Sequence, residues 1–203
     1  PPLLIATVER LTGVRVDHFA ILDFEGFRDM TDALGGVEVR VARTVRDPAR
    51  KVVWPVGTHH LDGARALDFV RQRYNLPGGD LGRIKRQQAF LKALAGQVVD
   101  RGTLVNPLKL NAFLEASTKA VSVDESLTAS KLRSLALRFR SVHAGDLVFV
   151  TAPVAGTGTQ GRQSVVYLDR AKGQALYQAL RTDAVDGYVA RADDTVNQVD
   201  EVR

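Results

Sequence analysis

Two hydrophobic periodicities alternate along this chain, and their alternation constrains the fold more than any other feature. Apolar residues from Leu4 to Leu11 recur at helical spacing, whereas Val37, Val39 and Val41 alternate with charged residues as in a half-buried strand. Because helix and strand patterns follow one another, the sequence predicts an α/β fold. We expect a mixed central sheet flanked by helices in a three-layer arrangement.

The same patterns predict the individual elements. Helices are predicted over residues 4–11, 25–34, 63–70, 83–100, 107–116, 128–139 and 170–181. Gly13 is expected to end the first helix, and Asp62 is a candidate N-cap for the helix over 63–70. The last helix is expected to pack through Leu176, Tyr177 and Leu180. Strands are predicted over residues 18–24, expected to be buried, and over 37–41, 147–150 and 164–168. Residues 42–57 are expected to be irregular, and residues 155–162 to form a glycine-rich loop. We expect residues 1–189 to be one domain and residues 190–203 to be a polar tail.

The composition is that of a globular protein and excludes several kinds of site. The 203 residues are 45% hydrophobic and 25% charged, with a net charge of +5 and no cysteine. Without cysteine there are no disulfides, thiolate metal sites or cysteine nucleophiles. No apolar run reaches the length of a membrane span. Because the chain starts directly in a helical pattern, we expect it to be a piece of a longer protein.

The positive charge is concentrated in one segment, from Arg71 to Lys92. Its only acid is Asp80, so this segment alone carries a net charge of +5. Its six basic residues are Arg71, Arg73, Arg83, Lys85, Arg86 and Lys92. A concentration of this kind predicts a local site for an anion rather than a basic coat over the whole surface.

Arg71 and Arg73 form the first part of the predicted site. They are two positions apart, so on an extended segment both side chains point the same way. Guanidinium groups bind phosphate oxygens in bidentate pairs, and two of them close together repel each other unless an anion lies between them. We therefore expect the pair to face one anionic ligand.

The second part begins at Asp80, a candidate N-cap for the predicted helix 83–100. The free N–H groups and the dipole at this helix start favour an anion. Arg83 lies in the first turn, where a cation is locally unfavourable, and this suggests a ligand. We expect Gln87 to lie one turn later on the buried face of the helix, with Ile84 and Leu91, where a bound ligand would satisfy its amide.

Plainer interpretations of the same residues stay open. The basic residues of the helix can form a solvated face, Arg71 can pair with Asp68, and Asp80 can be only an N-cap. His59 and His60 lack the i, i+4 spacing of a helical metal site, so we interpret them as structural.

Two further classes of function are weakly supported. The segment Gly156–Gly161 lacks the Lys-Ser/Thr that follows the glycines of a nucleotide-binding phosphate loop. The net charge suggests a nucleic-acid-binding module, but the basic segment offers only Tyr74 and Phe90 for stacking on bases. We expect no nucleic-acid partner.

The order and spacing of three short segments resemble the signature of the LytR-CpsA-Psr family. These segments are Arg71-Gln72-Arg73, Gly79-Asp80-Leu81-Gly82-Arg83 and Arg86-Gln87-Gln88. The resemblance extends to Leu11-Thr12-Gly13 and Ala33-Leu34-Gly35-Gly36-Val37, and it covers roughly residues 3–180.

The resemblance implies a phosphotransferase at the extracytoplasmic face of a bacterial cytoplasmic membrane. Such enzymes take a glycopolymer from a polyprenyl pyrophosphate carrier and attach it to peptidoglycan through a phosphodiester. It implies that Arg71, Arg73 and Arg83 bind the pyrophosphate, that Asp80 and Gln87 order the site, and that an apolar groove holds the polyprenyl tail. Of these, Arg71, Arg73, Asp80 and Arg83 are the expected catalytic residues. The bias towards Ala, Arg and Val suggests an actinobacterium, where related enzymes attach arabinogalactan.

In one respect the chain departs from the family pattern. The N-terminal strands that carry the aspartates for Mg²⁺ in the family are missing here. We therefore expect Mg²⁺ as a cofactor whose ligands lie upstream of this chain, together with an upstream transmembrane anchor. The alternative is a non-catalytic binder of polyprenyl (pyro)phosphate or of an anionic cell-wall glycan.

Overall fold

The computed structural model describes residues 1–76, 79–100, 115, 121–139, 142–192 and 196–197. These residues divide into two compact units. One contains Pro1–Asp17 and Val148–Asn197, and the other contains His18–Leu147. Both units contain helices as well as strands, which confirms the α/β class. Among the described strands, pairing is two by two and antiparallel.

The larger unit contains the anion segment. The helices are numbered along the chain, and α1 (Pro2–Thr12) belongs to the smaller unit. The helices of the larger unit are α2 (Phe24–Ala33), α3 (Gly63–Arg71), α4 (Asp80–Asp100) and α5 (Ala129–Phe139), with a 3₁₀ turn at Ala144–Asp146. Its strands are β1 (Ala20–Leu22), β2 (Val37–Val41), β3 (Val45–Asp47), β4 (Val52–Trp54), β5 (Gly57–Leu61) and β6 (Val121–Val123). The pairs are β1 with β6, β2 with β5 and β3 with β4.

The core of this unit is built on β2 and β5. The valines of β2 are buried and its charged residues are exposed, as their alternation predicts, and Val37 lies opposite Leu61. Asp23 and Asp62 cap α2 and α3 through the N–H groups of Gly26 and Arg65, at 2.7 and 2.8 Å. The predicted cap at Asp62 is confirmed.

A close approach of backbones joins α2 to α3. A Cβ added to Gly63 would lie 2.4 Å from the carbonyl oxygen of Arg28, so only glycine fits at this position. The long helix α4 is tied to the turn before β2, because the Gln97 amide donates to the carbonyl oxygens of Leu34 and Gly36 at 3.1 and 2.5 Å. These contacts hold α3 against α2 and α4 against the turn before β2, and so they position the end of α3 and the start of α4.

Two predictions for this unit were wrong. Residues 42–57 were expected to be irregular but contain the β3–β4 hairpin. The two prolines are compatible with this hairpin because Pro48 lies in its turn and Pro55 just after β4, where neither removes a ladder hydrogen bond. The predicted buried strand at residues 18–24 is the short β1, and its side chains are exposed, with Ile21 48% exposed.

The smaller unit contains α1 (Pro2–Thr12), α6 (Arg170–Arg181) and α7 (Val185–Val189). Its strands are β7 (Phe149–Val150), β8 (Val154–Gln160), β9 (Gln163–Leu168) and β10 (Val196–Asn197). Gly13, at φ 65°, ends α1 as predicted. Arg181 donates to the carbonyl oxygen of Thr12 at 2.6 Å and so links α6 to the end of α1.

Two predictions for the smaller unit were also wrong. The expected glycine-rich loop is mostly the strand β8, where a Cβ on Gly158 would lie 2.8 Å from the Tyr167 ring on β9. Glycine therefore serves packing against an aromatic ring rather than loop formation. In α6, Leu176 and Tyr177 are buried as expected, but Leu180 is exposed.

Some predictions fall outside the described residues, namely the helix over 107–116 and most of the tail over 190–203. Within the part of the chain that the structure describes, no helix combines the length and the apolar character needed to cross a membrane.

Candidate anion-binding site

The candidate site lies where α3 ends and α4 begins. Arg71 is the last residue of α3, and the backbone of Gln72 is extended, at φ −61° and ψ 134°. α4 begins at Asp80, three residues before the predicted start. Gly79 has φ +56° and its carbonyl oxygen accepts from the N–H of Arg83. Asp80 therefore lies in the first turn of α4, and its prediction as the N-cap was wrong.

Asp80 lies between two guanidinium groups. Arg73 donates from Nε and Nη2 to the two carboxylate oxygens of Asp80, at 3.1 and 3.2 Å. Nη1 of Arg83 lies 3.5 Å from the same carboxylate. Arg73 and Asp80 are about half exposed, and Arg83 is partly exposed. The structure thus brings two of the predicted site residues, Arg73 and Arg83, together around the accessible carboxylate of a third, Asp80.

Arg71 is held by an aromatic ring. Its guanidinium carbon lies 4.2 Å from the centre of the Phe24 ring, within the range of a cation–π contact. Asp68, considered above as its partner, instead lies 3.2 Å from Nε of Arg50. Phe24 was missed as a site residue, since nothing in the sequence joins the start of α2 to the end of α3.

Gln87 does not lie on the buried face of α4. Its side chain is exposed, and its amide is 3.4 Å from the carbonyl oxygen of Val70. Leu91, predicted to be buried with it, is 49% exposed. The buried face instead contains Gly82, Arg86, Ala89, Phe90, Gly96 and Gln97. The apolar residues of α4 are spread around the helix, so their spacing did not identify the face that packs.

Arg86 is the unexpected member of that buried face. Its side chain is fully buried, and its guanidinium carbon lies 4.5 Å from the centre of the Phe69 ring. Burial lowers the pKa of Arg86 to about 10, while the charge of Asp47 acts in the opposite direction. Arg86 therefore stays charged at neutral pH. The three guanidinium nitrogens have no hydrogen-bond partner among the described residues.

Gln72, between the two signature arginines, is also fully buried. Its amide nitrogen donates to the carbonyl oxygens of Tyr74 and Arg46, at 3.0 and 3.4 Å. Arg71 and Arg73 on either side are exposed, as expected for side chains that alternate along an extended segment. Gln72 thus anchors this segment to the residue that precedes Asp47 on β3.

The arrangement suits an anion with several oxygens. Arg71, Arg73 and Arg83 against Asp80 leave a net charge of +2 at an accessible surface. The start of α4 adds N–H groups and the positive end of its dipole. A pyrophosphate matches the bidentate geometry of these guanidinium groups.

The carboxylate of this site is not arranged for a metal. Asp80 is shared by Arg73 and Arg83. The described residues contain no group of three or more His, Asp or Glu side chains placed to hold a metal ion. These residues therefore do not make up a Mg²⁺ site by themselves.

The profile of the LytR_cpsA_psr family matches residues 1–182. This chain belongs to that family. It is 42% identical over 178 residues to the cell wall biosynthesis protein LcpA of Corynebacterium glutamicum, a match that covers 86% of this chain and 34% of LcpA. This relative agrees with the actinobacterial origin expected from the composition.

A second relative in the LytR_cpsA_psr family is named as a transferase. The polyisoprenyl-teichoic acid–peptidoglycan teichoic acid transferase TagV of Bacillus subtilis is 29% identical over 130 residues, covering 61% of this chain and 32% of TagV. The chain thus spans about a third of the length of both relatives.

A solved structure supports the fold of this family member. The crystal structure of B. subtilis TagV superposes with a TM-score of 0.72 at 22% identity, covering 89% of this chain and 69% of that one. At this identity the likeness establishes the fold alone. The family and the α/β fold expected from the sequence are confirmed.

Proposed function

We propose that this protein is a phosphotransferase that moves a glycopolymer from a polyprenyl pyrophosphate carrier to peptidoglycan and joins the two through a phosphodiester. The observation that carries the proposal is the convergence of Arg73 and Arg83 on Asp80, with Arg71 two positions before Arg73 at the end of α3. The transferase name of TagV and the cell-wall role named for LcpA support the same reaction class.

The reaction needs charge neutralisation more than covalent chemistry. A sugar hydroxyl of peptidoglycan loses its proton to solvent as it attacks the phosphorus that carries the glycopolymer, and the bond to the second phosphate breaks. Polyprenyl phosphate then leaves with the bonding electrons. The guanidinium groups of Arg71, Arg73 and Arg83 would stabilise the charge that develops on the leaving phosphate. Asp80 would hold Arg73 and Arg83 in position while the site is formed.

The carrier lipid suggests where the reaction occurs. Leu91 lies one turn after Gln87 on α4, and Phe24 contacts Arg71, and both are about half exposed or more. An apolar surface beside the arginines suits the first isoprene units of a polyprenyl tail. We place the enzyme at the extracytoplasmic face of the membrane, where such a tail and peptidoglycan are both within reach.

Mg²⁺ remains part of the proposal for the complete family domain, with ligands outside this chain. Bound near the pyrophosphate, Mg²⁺ would supply further positive charge. No role is assigned to Asp80 as its ligand, because two arginines share this carboxylate.

The test measures release of polyprenyl phosphate from a polyprenyl pyrophosphate glycan by the full-length protein. Arg71→Ala and Arg83→Ala should each lower the rate by a factor on the order of 100 to 1000. Arg28→Ala is the matched control, since Arg28 is exposed on α2 outside the site. Wild-type rates in both site variants would contradict the proposal.

One observation favours a second candidate, a non-catalytic binder of polyprenyl pyrophosphate. Among the described residues there is no carboxylate cluster for a metal, although the arginine site is present. Binding of the lipid glycan by the full-length protein, with no transfer in the presence of Mg²⁺, would favour the binder. Transfer that stops when EDTA removes the metal would favour the enzyme.

A further inference from the structure

Phe24 and Arg71 form a pair at the candidate site. The guanidinium carbon of Arg71 lies over the Phe24 ring, 4.2 Å from its centre. Both side chains are exposed, and Phe24 is 58% exposed although it is a large apolar residue. The pair joins the start of α2 to the end of α3.

The position of Phe24 is fixed by the first turn of α2. Asp23 caps this helix, because its carboxylate accepts from the N–H of Gly26 at 2.7 Å, and Phe24 is the first helical residue. One turn later, the centre of the Phe27 ring lies 5.0 Å from that of Phe90 on α4. The turn that carries Phe24 is therefore both capped and anchored to α4.

The position of Arg71 is fixed by the packing of α3 on α2. The N–H of Gly63, at the start of α3, donates to the carboxylate of Asp32 at 2.7 Å, and a Cβ on Gly63 would collide with the carbonyl of Arg28. Arg71 lies at the other end of α3, where the helix dipole favours a cation. Two packed helices, rather than a loop, thus bring the ring of Phe24 to Arg71.

The contact with Phe24 differs in kind from the contacts that hold the other two arginines. Arg73 donates to the carboxylate of Asp80, and Arg83 lies beside the same carboxylate, so an anion that binds there must compete with Asp80. A guanidinium over an aromatic ring is attracted by the π electrons and needs no paired N–H···O bonds. Within the part of the chain that the structure describes, no hydrogen bond or ion pair engages the guanidinium of Arg71.

We propose that Phe24 is a positioning residue for Arg71, whose ring holds the guanidinium in place and leaves its hydrogen-bond donors to the pyrophosphate of the substrate. This inference rests on the proposed function. A free arginine side chain samples many rotamers, and fixing one of them costs free energy when a ligand binds. A side chain that is already held binds the anion more tightly, and this gain depends on the phosphate groups and not on the lipid.

The test compares two ligands that share a pyrophosphate group. Binding of inorganic pyrophosphate and of geranylgeranyl pyrophosphate to the full-length protein is measured by calorimetry with Mg²⁺ present, and the Tm is measured in parallel. Phe24→Leu removes the ring but keeps an apolar side chain, so it should weaken binding of both ligands by about fivefold at unchanged Tm. Phe24→Tyr keeps the ring and should bind both ligands within about twofold of the wild type.

Phe139→Leu is the matched control. Phe139 has an exposure similar to that of Phe24, 53%, and it lies on α5, which contributes no residue to the site. This variant should bind both ligands within about twofold of the wild type. An equal loss of affinity in Phe24→Leu and Phe139→Leu would overturn the inference.

A double variant shows whether Phe24 acts through Arg71. In Arg71→Ala the ring has no guanidinium to hold, so the addition of Phe24→Leu should change the affinity for inorganic pyrophosphate by less than about twofold. A further fivefold loss would mean that the ring affects binding by another route, which overturns the inference. A loss in Phe24→Leu that is confined to geranylgeranyl pyrophosphate would also overturn it, because the ring would then contact the lipid instead.

The remaining outcomes separate this inference from the proposed function. If Phe24→Leu does not fold, Phe24→Met takes its place with the same expected loss, and wild-type affinity in that variant overturns the inference. Wild-type affinity in Phe24→Leu with weakened binding in Arg71→Ala overturns the role of Phe24 alone. If Arg71→Ala and Arg83→Ala bind both ligands like the wild type, the proposed function itself fails.

Discussion

The signature segments have an exposed outer face and a buried inner face, and the arginines of the two faces differ in solvent exposure and in their partners. On the outer face, Arg73 and Arg83 are accessible and share the carboxylate of Asp80. On the inner face, Arg86 is fully buried and its guanidinium has no hydrogen-bond partner among the described residues. Both sets of arginines come from the same stretch of basic sequence.

The difference shows that a cluster of arginines is not one site. Exposed arginines can exchange a protein carboxylate for a ligand at little cost, because water screens their charge. A buried arginine cannot change partners without moving the elements around it. The outer face is therefore suited to bind and release an anion, and the inner face to hold the frame. Four predictions test this division, in order of decreasing effect.

The largest effect is expected on the outer face. Arg73→Ala removes the group that pairs with Asp80 in bidentate geometry, so transfer should slow by a factor on the order of 100 to 1000. Arg73→Lys should restore only part of the rate, because lysine lacks the fork. The measurement is release of polyprenyl phosphate under saturating substrate. Full recovery with lysine would mean that only the charge matters.

Loss of the shared carboxylate should matter less. Asp80→Asn leaves both guanidinium groups but no longer holds them together, and we expect about a tenfold slower transfer. Because the pair is half exposed, the free energy of unfolding should change by less than about 1 kcal/mol. Urea unfolding and the transfer assay measure the two effects. A large loss of stability would mean that Asp80 mainly stabilises the fold instead.

The buried Arg86 of the inner face should make the free energy of unfolding depend on pH in the alkaline range. The pKa of Arg86 in the folded protein is about 10, well below its ordinary value, so above pH 10 the unfolded chain binds more protons than the folded one. Stability should therefore rise with pH above 10, by about 1 kcal/mol between pH 9 and pH 11.

The comparison with Arg86→Met isolates this contribution. The difference in unfolding free energy between wild type and variant, from urea unfolding at pH 9 and pH 11, cancels the titration of the other groups. A difference that does not change with pH would show that Arg86 is not a buried charge.

The smallest effect is expected at Gln87. The hydrogen bond that its amide donates to the carbonyl oxygen of Val70 is long, 3.4 Å, and its side chain is exposed. Gln87→Ala should change the free energy of unfolding by no more than about 0.5 kcal/mol. We expect transfer to slow only a few fold, on the order of threefold, because a neutral amide contributes less than a guanidinium. A hundredfold loss would place Gln87 among the main ligands of the pyrophosphate.

Much of the fold was predictable because local patterns decide it. The alternating valines of β2, the cap at Asp62 and the stop at Gly13 lie where the sequence predicts them. The hairpin at β3 and β4 was not predicted, since its prolines suggested irregular backbone although they occupy positions that need no N–H donor.

The buried face of α4 was the main failure at the site. Ile84, Gln87 and Leu91 have the spacing of a buried stripe, yet Arg86 and Phe90 face the core. Periodicity assigns burial to apolar residues and therefore cannot identify a face on which an arginine is the largest buried side chain. The direction of packing is decided by the contacts of α4 with α3 and with β2, and β2 lies far away in sequence.

The sequence by itself determined the family, the alternation of helices and strands, and the identity of the arginines that concentrate its charge. Only the tertiary structure decided which of these arginines face solvent and which lie inside. The sequence patterns that predict helices, strands and the signature segments involve residues only a few positions apart. Burial of Arg86 against Phe69, and of Gln72 against β3, depends on elements that meet only when the chain folds.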